Sequence, residues 1–396
     1  MSLQIGIGYS SGNDPYAVGT NACQAAYSDI NEEDVAFALI ITASEYEHDK
    51  VLSGVSSVIG DAPVIGTSSF GEIGGSTLLK KPSVVVVLFR GEGLSFSSSR
   101  IRIDDSDPES LGAEGARILM QELGDTPFLS FLFSDVLARS QQHRIAKGYL
   151  DTVGPSSLIG GGSSDALDFV DTRQYHNAEV LSGSAVFGGL RGDFLCGVGM
   201  RHGLLPVGAP HSATKADGVY LRTVDRKPAM TLYREYFALE DFRQFNKEPL
   251  ARLTTAYPLG FRRTPTESGL VVRTPLSFES DWTLVCSDAI PAGQTVHLMI
   301  GDEDEAVKSA KEATEEALVA LGKGVKPKLA FLVSGVGRKR VYGSDLNKEV
   351  ETVMSVVGAE TPIVGFYSYG TFGSGKGSKR PEEVFQDGSL AVCLMG

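Results

Sequence analysis

One pattern recurs three times along the chain, and it limits the fold more than any other feature. An apolar strand ends in a small polar residue. An amphipathic helix follows, then a short apolar strand ending in glycine, a G-x-x-S-x-[G/D] loop and a further apolar strand. The first copy runs from Phe37–Ser44 through a helix to Ile59, then Ala62–Glu72 and Ser83–Phe89. The second takes Phe128–Asp135, Ser156–Asp165 and Ser184–Leu190; the third takes Leu329–Gly335, Thr361–Thr371 and Ser389–Met395. The serine falls three residues after the glycine in every copy: Gly66/Ser69, Gly160/Ser163 and Gly365/Ser368. Copies two and three also share FL-x-S-x-V (Phe131–Val136 and Phe331–Val336), and copies one and two share an exit turn at Arg90-Gly91 and Arg191-Gly192.

Three ordered coincidences imply internal duplication. The expected fold is α/β: two related halves built on repeated β-α-β-β units, with layered mixed sheets flanked by helices and an αββα stack among the options. VVVVLF and LAFLV are apolar on both faces, so those strands should be covered on both sides. Glu303–Leu321 carries apolar residues at helical spacing and stops at Gly322, which predicts one long helix. Gly218–Ile300 reads as strands, and the Pro/Gly/Ala-rich stretch His202–Gly218 as a crossing between the halves. The boundary is placed near residue 215.

The Gly/Ser loops are the main candidates for chemistry. Glycine permits a sharp turn and lets a ligand approach the main chain, where successive N–H groups can cradle an anion. The candidate ligand-binding residues are Thr67, Ser68, Ser69, Glu72, Gly161, Ser163, Asp165, Arg338, Tyr367, Ser368 and Tyr369. The serines and Thr67 supply hydroxyls, and the two tyrosines would wall a small organic ligand. Arg338, beside Gly337, would clamp a carboxylate bidentately, while Glu72 or Asp165 would meet an ammonium. The competing reading is that the loops are tight strand connections and the carboxylates cap helix starts. At least two loops are expected to meet at one cleft with Arg338 within reach.

Enzymatic signatures fail on inspection. Gly370–Gly377 opens like a Walker loop but lacks the Ser/Thr after its lysine, and the Gly/Ser loops are one residue too long for a G-x-S-x-G elbow. His143, His176 and His211 have no orienting carboxylate motif. No catalytic residue, cofactor or metal ligand is therefore assigned. The alternative is an enzyme acting on a small substrate through a loop serine or through Glu72 and Asp165. A net charge of −13 argues against nucleic acid as a partner, since the only dense basic stretches, Gly337–Arg340 and Lys376–Arg380, are short. Four scattered cysteines fit reduced thiols, and no long apolar run or leader-like N-terminus is present, so a cytoplasmic location without membrane insertion is expected.

Pro63–Ile73, Pro362–Gly370 and Gly269–Gly301 together resemble the FIST superfamily, in which a FIST N-terminal domain precedes a FIST C-terminal domain. The resemblance runs from about residue 30 to the end. It implies an N-terminal-type domain over 1–215 with two repeat units, and a C-terminal-type domain over 216–396 with a strand-rich insert, the long helix and the third unit. It further implies an intracellular sensory module for a small polar metabolite such as an amino acid. Relatives are often fused to signal-output domains. This chain reads as a stand-alone copy that signals through a separate partner protein. Two positions depart from the family pattern: Gly370-Thr371-Phe372 stands where Gly-Glu-Ile is common, and Gly335 where a cysteine is frequent.

Overall fold

The computed structural model describes residues 3–30, 34–238, 247–262, 269–343, 345–376 and 383–396. Each repeat unit is larger than its sequence signature by a leading strand and, before the signature's first strand, a helix. Unit one contains β1 (Gln4–Ser10), α1 (Pro15–Asp29), β2 (Phe37–Ala43), α2 (His48–Ile59), β3 (Val64–Ser69), the hairpin β4 (Glu72–Gly74) and β5 (Thr77–Leu78), and β6 (Val84–Arg90). Unit two contains β7 (Ser95–Arg102), α3 (Pro108–Leu123), β8 (Leu129–Ser134), α4 (Gln142–Val153), β9 (Ser157–Gly162), the hairpin β10 (Gln174–His176) and β11 (Glu179–Leu181), and β12 (Ser184–Arg191). The two extra helices open alike, with Asp14 or Asp107 capping the first turn and proline following it.

Unit three opens with β13 (Cys196–His202) and is then interrupted by an insert. The insert holds β14 (Leu204–Asp217), β15 (Tyr220–Val224), β16 (Lys227–Pro228), α5 (Thr231–Tyr236), α6 (Lys247–Ala256), β17 (Leu259–Phe261), β18 (Val271–Arg273), β19 (Pro275–Phe278), β20 (Leu284–Cys286) and β21 (Thr295–Gly301). The unit resumes with α7 (Glu303–Leu321), β22 (Leu329–Gly335), α8 (Val336–Val341), α9 (Lys348–Val357), β23 (Ile363–Ser368), the pair β24 (Thr371–Ser374) and β25 (Phe385–Gln386), and β26 (Ser389–Met395). The long helix has the bounds its periodicity predicts.

The units share one strand order: β1-β6-β2-β3, β7-β12-β8-β9 and β13-β26-β22-β23. Their parallel pairs share one register, with Ile40 opposite Gly66, Leu132 opposite Gly160 and Leu332 opposite Gly365. Ser69, Ser163 and Ser368 therefore occupy equivalent places, as the Gly-to-Ser spacing requires. Each unit then donates its hairpin to a neighbour. The β4–β5 pair extends the sheet of unit three, β10–β11 that of unit one, and β24–β25 that of unit two, which closes a ring.

Alternation along these strands separates two kinds of core. Phe37, Val85, Phe131, Val186, Phe331 and Ala391 are among the residues that face one common interior, built from all three sheets. Phe131 lies between the other two units, with ring centroids 5.9 Å from Phe37 and 6.4 Å from Phe331, its counterpart in unit three. The opposite faces carry the helices; α1 and α2 cover Ala38, Ile40 and Val86, for example. The apolar runs are buried on both sides, as expected. The repeat glycines have a steric reason. A Cβ on Gly66, Gly160 or Gly365 would collide with the carbonyl oxygen of Ile40, Leu132 or Leu332 respectively, the same contact three times.

His202–Gly218 is not the crossing segment its composition suggests. Most of it forms β14, which pairs with β21 along its first half and β15 along its second. Pro210 is tolerated because the register shifts between Val207 and His211, where Gly208 adopts φ 75°.

Candidate functional site

The three Gly/Ser loops meet, but they meet by sealing one another. Thr67 Oγ1 donates to Ser163 Oγ (2.8 Å), which also accepts from Gln174 Nε2 of the donated hairpin (2.9 Å). Ser68 Oγ donates to the Ser164 carbonyl (3.0 Å), and Ser164 Oγ to the Tyr367 carbonyl (2.7 Å). Tyr369 N–H reaches the Gly162 carbonyl and Gly162 N–H the Gly370 carbonyl. Gly161 packs so tightly that a Cβ there would stand 2.8 Å from Ser368 Cβ. Thr67, Ser68, Ser69, Ser163 and Ser368 are all buried. Most of the hydroxyls offered to a ligand by the sequence are thus engaged within the protein.

The charged candidates behave similarly. Both Glu72 oxygens accept hydroxyls, from Ser69 and from Ser83, and burial holds the carboxyl up at about 7. Asp165 accepts four backbone N–H groups, from Asp168, Phe169, Val170 and Asp171, together with the Tyr369 hydroxyl. It fastens its own loop rather than waiting for an ammonium.

Arg338 corrects the anion-clamp expectation. It is 2% exposed and turned under the helices: Nε meets Glu349, Nη1 donates to Ser309 Oγ (3.1 Å), and Nη2 donates to the Ala306 carbonyl (2.9 Å) and Tyr342 hydroxyl (3.0 Å). Its partners sit on α7 and α9, which sequence proximity to Gly337 does not reveal. Tyr367 is fully buried beside these groups and is not among the residues that line the cavity between the third loop and the insert. The neighbouring Lys339 lies 4.0 Å over the Phe70 ring and donates to the Phe70 carbonyl (2.7 Å).

A cavity opens at one place where the ring is not filled. In unit two, Asp135 follows β8 and its carboxylate takes the Leu137 and Gly183 N–H groups. By register, the equivalents of Asp135 and Gly183 in unit three are Gly335 and Gly388. With no side chain at either, a cavity of about 20 Å³ remains, room for a single water-sized group. Its floor is Ser368, Tyr369 and Gly370 of the third loop; its roof is Thr255, Pro258, Thr274 and Leu276 of the insert. Phe169, Leu204 and Val336 complete apolar walls. Of the sequence candidates, Ser368 and Tyr369 reach this cavity.

Asp387 also lines it, and the sequence reading missed it. It is 4% exposed and, among the described residues, bound on one oxygen only: Oδ2 accepts the Thr274 N–H (2.7 Å) and the Ser287 hydroxyl, both from the insert. Burial raises its carboxyl to about 6, although Ser287 and the nearby Arg273 pull the other way. Arg273 is directed elsewhere, to the Phe385 carbonyl (2.8 Å), the Val272 carbonyl (3.0 Å) and Asp288 (3.5 Å). Asp288 in turn holds His143 of unit two, through Nδ1 and through the backbone N–H (2.8 Å each). A signal was present in Asp387-Gly388-Ser389, which matches the small-residue turn before the last strand of unit two. Among the described residues, no group of three His, Cys, Asp or Glu side chains is placed to hold a metal ion.

Comparison with known proteins agrees with the FIST resemblance. The FIST N domain profile matches residues 36–227 and the FIST C domain profile residues 229–374. An uncharacterized protein of Methanocaldococcus jannaschii is 26% identical over 385 residues, covering 91% of this chain and 69% of its own. One from Mycobacterium bovis is 23% identical, covering 94% of each chain. Among solved structures, a cyanuric acid hydrolase from A. caulinodans aligns over 100% of this chain and 99% of its own at 9% identity, with a TM-score of 0.39. A chorismatase aligns over the same shares at 9% identity and 0.38.

Proposed function

The chain belongs to the FIST family, and from that premise we propose that it is a sensor of a small polar metabolite, bound in the cavity between the third loop and the insert. FIST domains are generally sensory, ligand-binding signalling domains. The observation that carries the location is the make-up of the cavity: its floor belongs to the ring of repeats and its roof to the insert. A guest larger than one water must lift that roof. Occupancy is thereby coupled to the position of the insert, which is what a sensor needs.

The signal then passes to a separate partner protein through the displaced insert, in the cytoplasm. No helix among the described residues is long and apolar enough to cross a membrane. An amino acid is a poorer fit than the sequence suggested, because no described Arg, Lys or His lines the cavity to take its carboxylate. The test is native mass spectrometry of the purified chain for a co-purified small molecule, repeated on Leu276→Phe, which fills the roof. A bound mass lost in the variant supports the site; a mass retained by the folded variant places the ligand elsewhere.

A further inference from the structure

Resting on that reading of the cavity, we infer that its ligand is a small primary amine, with the ammonium head on Asp387 Oδ1 and a short apolar tail against the insert. Oδ1 has no hydrogen-bond or ion-pair partner among the described residues, while Oδ2 is held twice. It points at Gly370, where a Cβ would stand only 2.9 Å away. Glycine there, at φ 95°, is what the turn admits, because the Phe385 ring would stand 2.2 Å from a Cβ, and it lets the main chain lie close beside the oxygen. A carboxylate so fixed and buried is costly unless a donor or cation completes it.

The surroundings select the donor. Arg273 directs its bonds to Asp288 and two carbonyls, so it acts on Asp387 through space and donates to neither of its oxygens among the described residues. The Phe169 and Tyr369 rings, 4.5 Å apart, stand on the cavity wall and present surfaces that favour a cation. About 20 Å³ admits an ammonium head but not an ammonium and a carboxylate together. Leu204, Leu276 and Val336 offer the tail apolar contact once the roof lifts.

The groups that titrate or carry charge around Asp387 are Arg273, Asp288, Cys286, His143 and the Tyr369–Asp165 pair. Burial and the neighbouring carboxylates push the Cys286 thiol up. Burial alone would raise Asp288, yet His143 and Arg273 hold it below the usual carboxylate range. Burial and Asp165 hold the Tyr369 phenol protonated. Asp387 is therefore the group whose ionisation should set the pH dependence of amine binding near pH 6.

Calorimetric titration of the full chain at pH 8 with n-propylamine, n-propanol and propionate tests this. Propylamine should bind at least tenfold more tightly than either analogue, and Asp387→Asn should lose at least tenfold. Because that variant alters a buried group, wild-type binding is also followed with pH: affinity for propylamine should fall below about pH 6. Equal binding of propanol and propylamine, or a folded Asp387→Asn that binds as wild type, overturns the amine. If propanol or propionate binds better and Leu276→Phe abolishes it, the cavity stands and the amine falls. If none binds to wild type, the amine falls, and the co-purification result decides the cavity separately.

Discussion

Asp387 and Gly370 face one another: a Cβ on Gly370 would stand 2.9 Å from Oδ1, while among the described residues both bonds to the carboxylate fall on Oδ2. The first consequence is for stability against pH. The folded value, about 6, lies above the ordinary carboxylate value of about 4. The folded state therefore holds the proton more tightly than the unfolded state does. Its contribution is favourable at low pH and is lost as pH rises through roughly 4 to 6, reaching a penalty of about 3 kcal/mol. Asp387→Asn should gain on wild type as pH rises, with the widest gap above pH 7. Urea unfolding at pH 4.5 and 8 checks it; a gap that is constant or reversed contradicts the assignment.

The repeat glycines give a second expectation. Gly66→Ala, Gly160→Ala and Gly365→Ala each place a methyl against the facing carbonyl oxygen, so each should destabilise by about 3 kcal/mol or more. Gly269→Ala meets nothing within 4 Å and should change stability by less than about 0.5 kcal/mol. Chemical denaturation of the four variants measures whether the three sites behave as one.

Arg338→Ala should act on folding rather than on binding. It strands Glu349, which is fully buried, and removing one member of such a pair costs about 3–5 kcal/mol. Arg338→Met combined with Glu349→Leu should recover part of that loss. Thermal unfolding of single and double variants reads the coupling; a stable Arg338→Ala would return the residue to consideration at the ligand.

Asp165→Ala should free residues 168–171 from their anchor and leave the Tyr369 hydroxyl with only its main-chain partners, the Asp165 carbonyl and the Leu167 N–H. The expected loss is at least about 2 kcal/mol, with faster proteolytic cleavage inside that segment. Limited proteolysis with mass mapping locates the cut, and unchanged resistance would argue against the anchoring role.

The sequence made the repeated unit legible because strand apolarity, helical spacing and the Gly-to-Ser interval are local properties. It could not show that the loops seal one another. That depends on hairpins such as β4–β5 and β10–β11, two or three residues per strand, far too short to carry a period and paired with a different unit. Arg338 misled for the same reason: beside it in sequence is Gly337, but its acid lies on α9. Asp387 was not legible, since the groups that fix it, Thr274 and Ser287, come from the insert, 113 and 100 residues away. Ser368 and Tyr369 were legible as cavity residues, while Thr67, Ser68 and Ser163 share their chemistry but not their opening.

Hydrogen exchange with mass spectrometry, on the full chain with and without saturating n-propylamine, addresses the cavity most directly. Ligand in the cavity should slow exchange in the peptides spanning 274–276, 335–337, 368–370 and 387–388, which meet there from the insert and the third unit. The peptides containing 67–69 and 163–165 should be unchanged, because those loops are already closed. Protection centred on the first two loops, or none at the third-unit segments despite measured binding, would contradict the account.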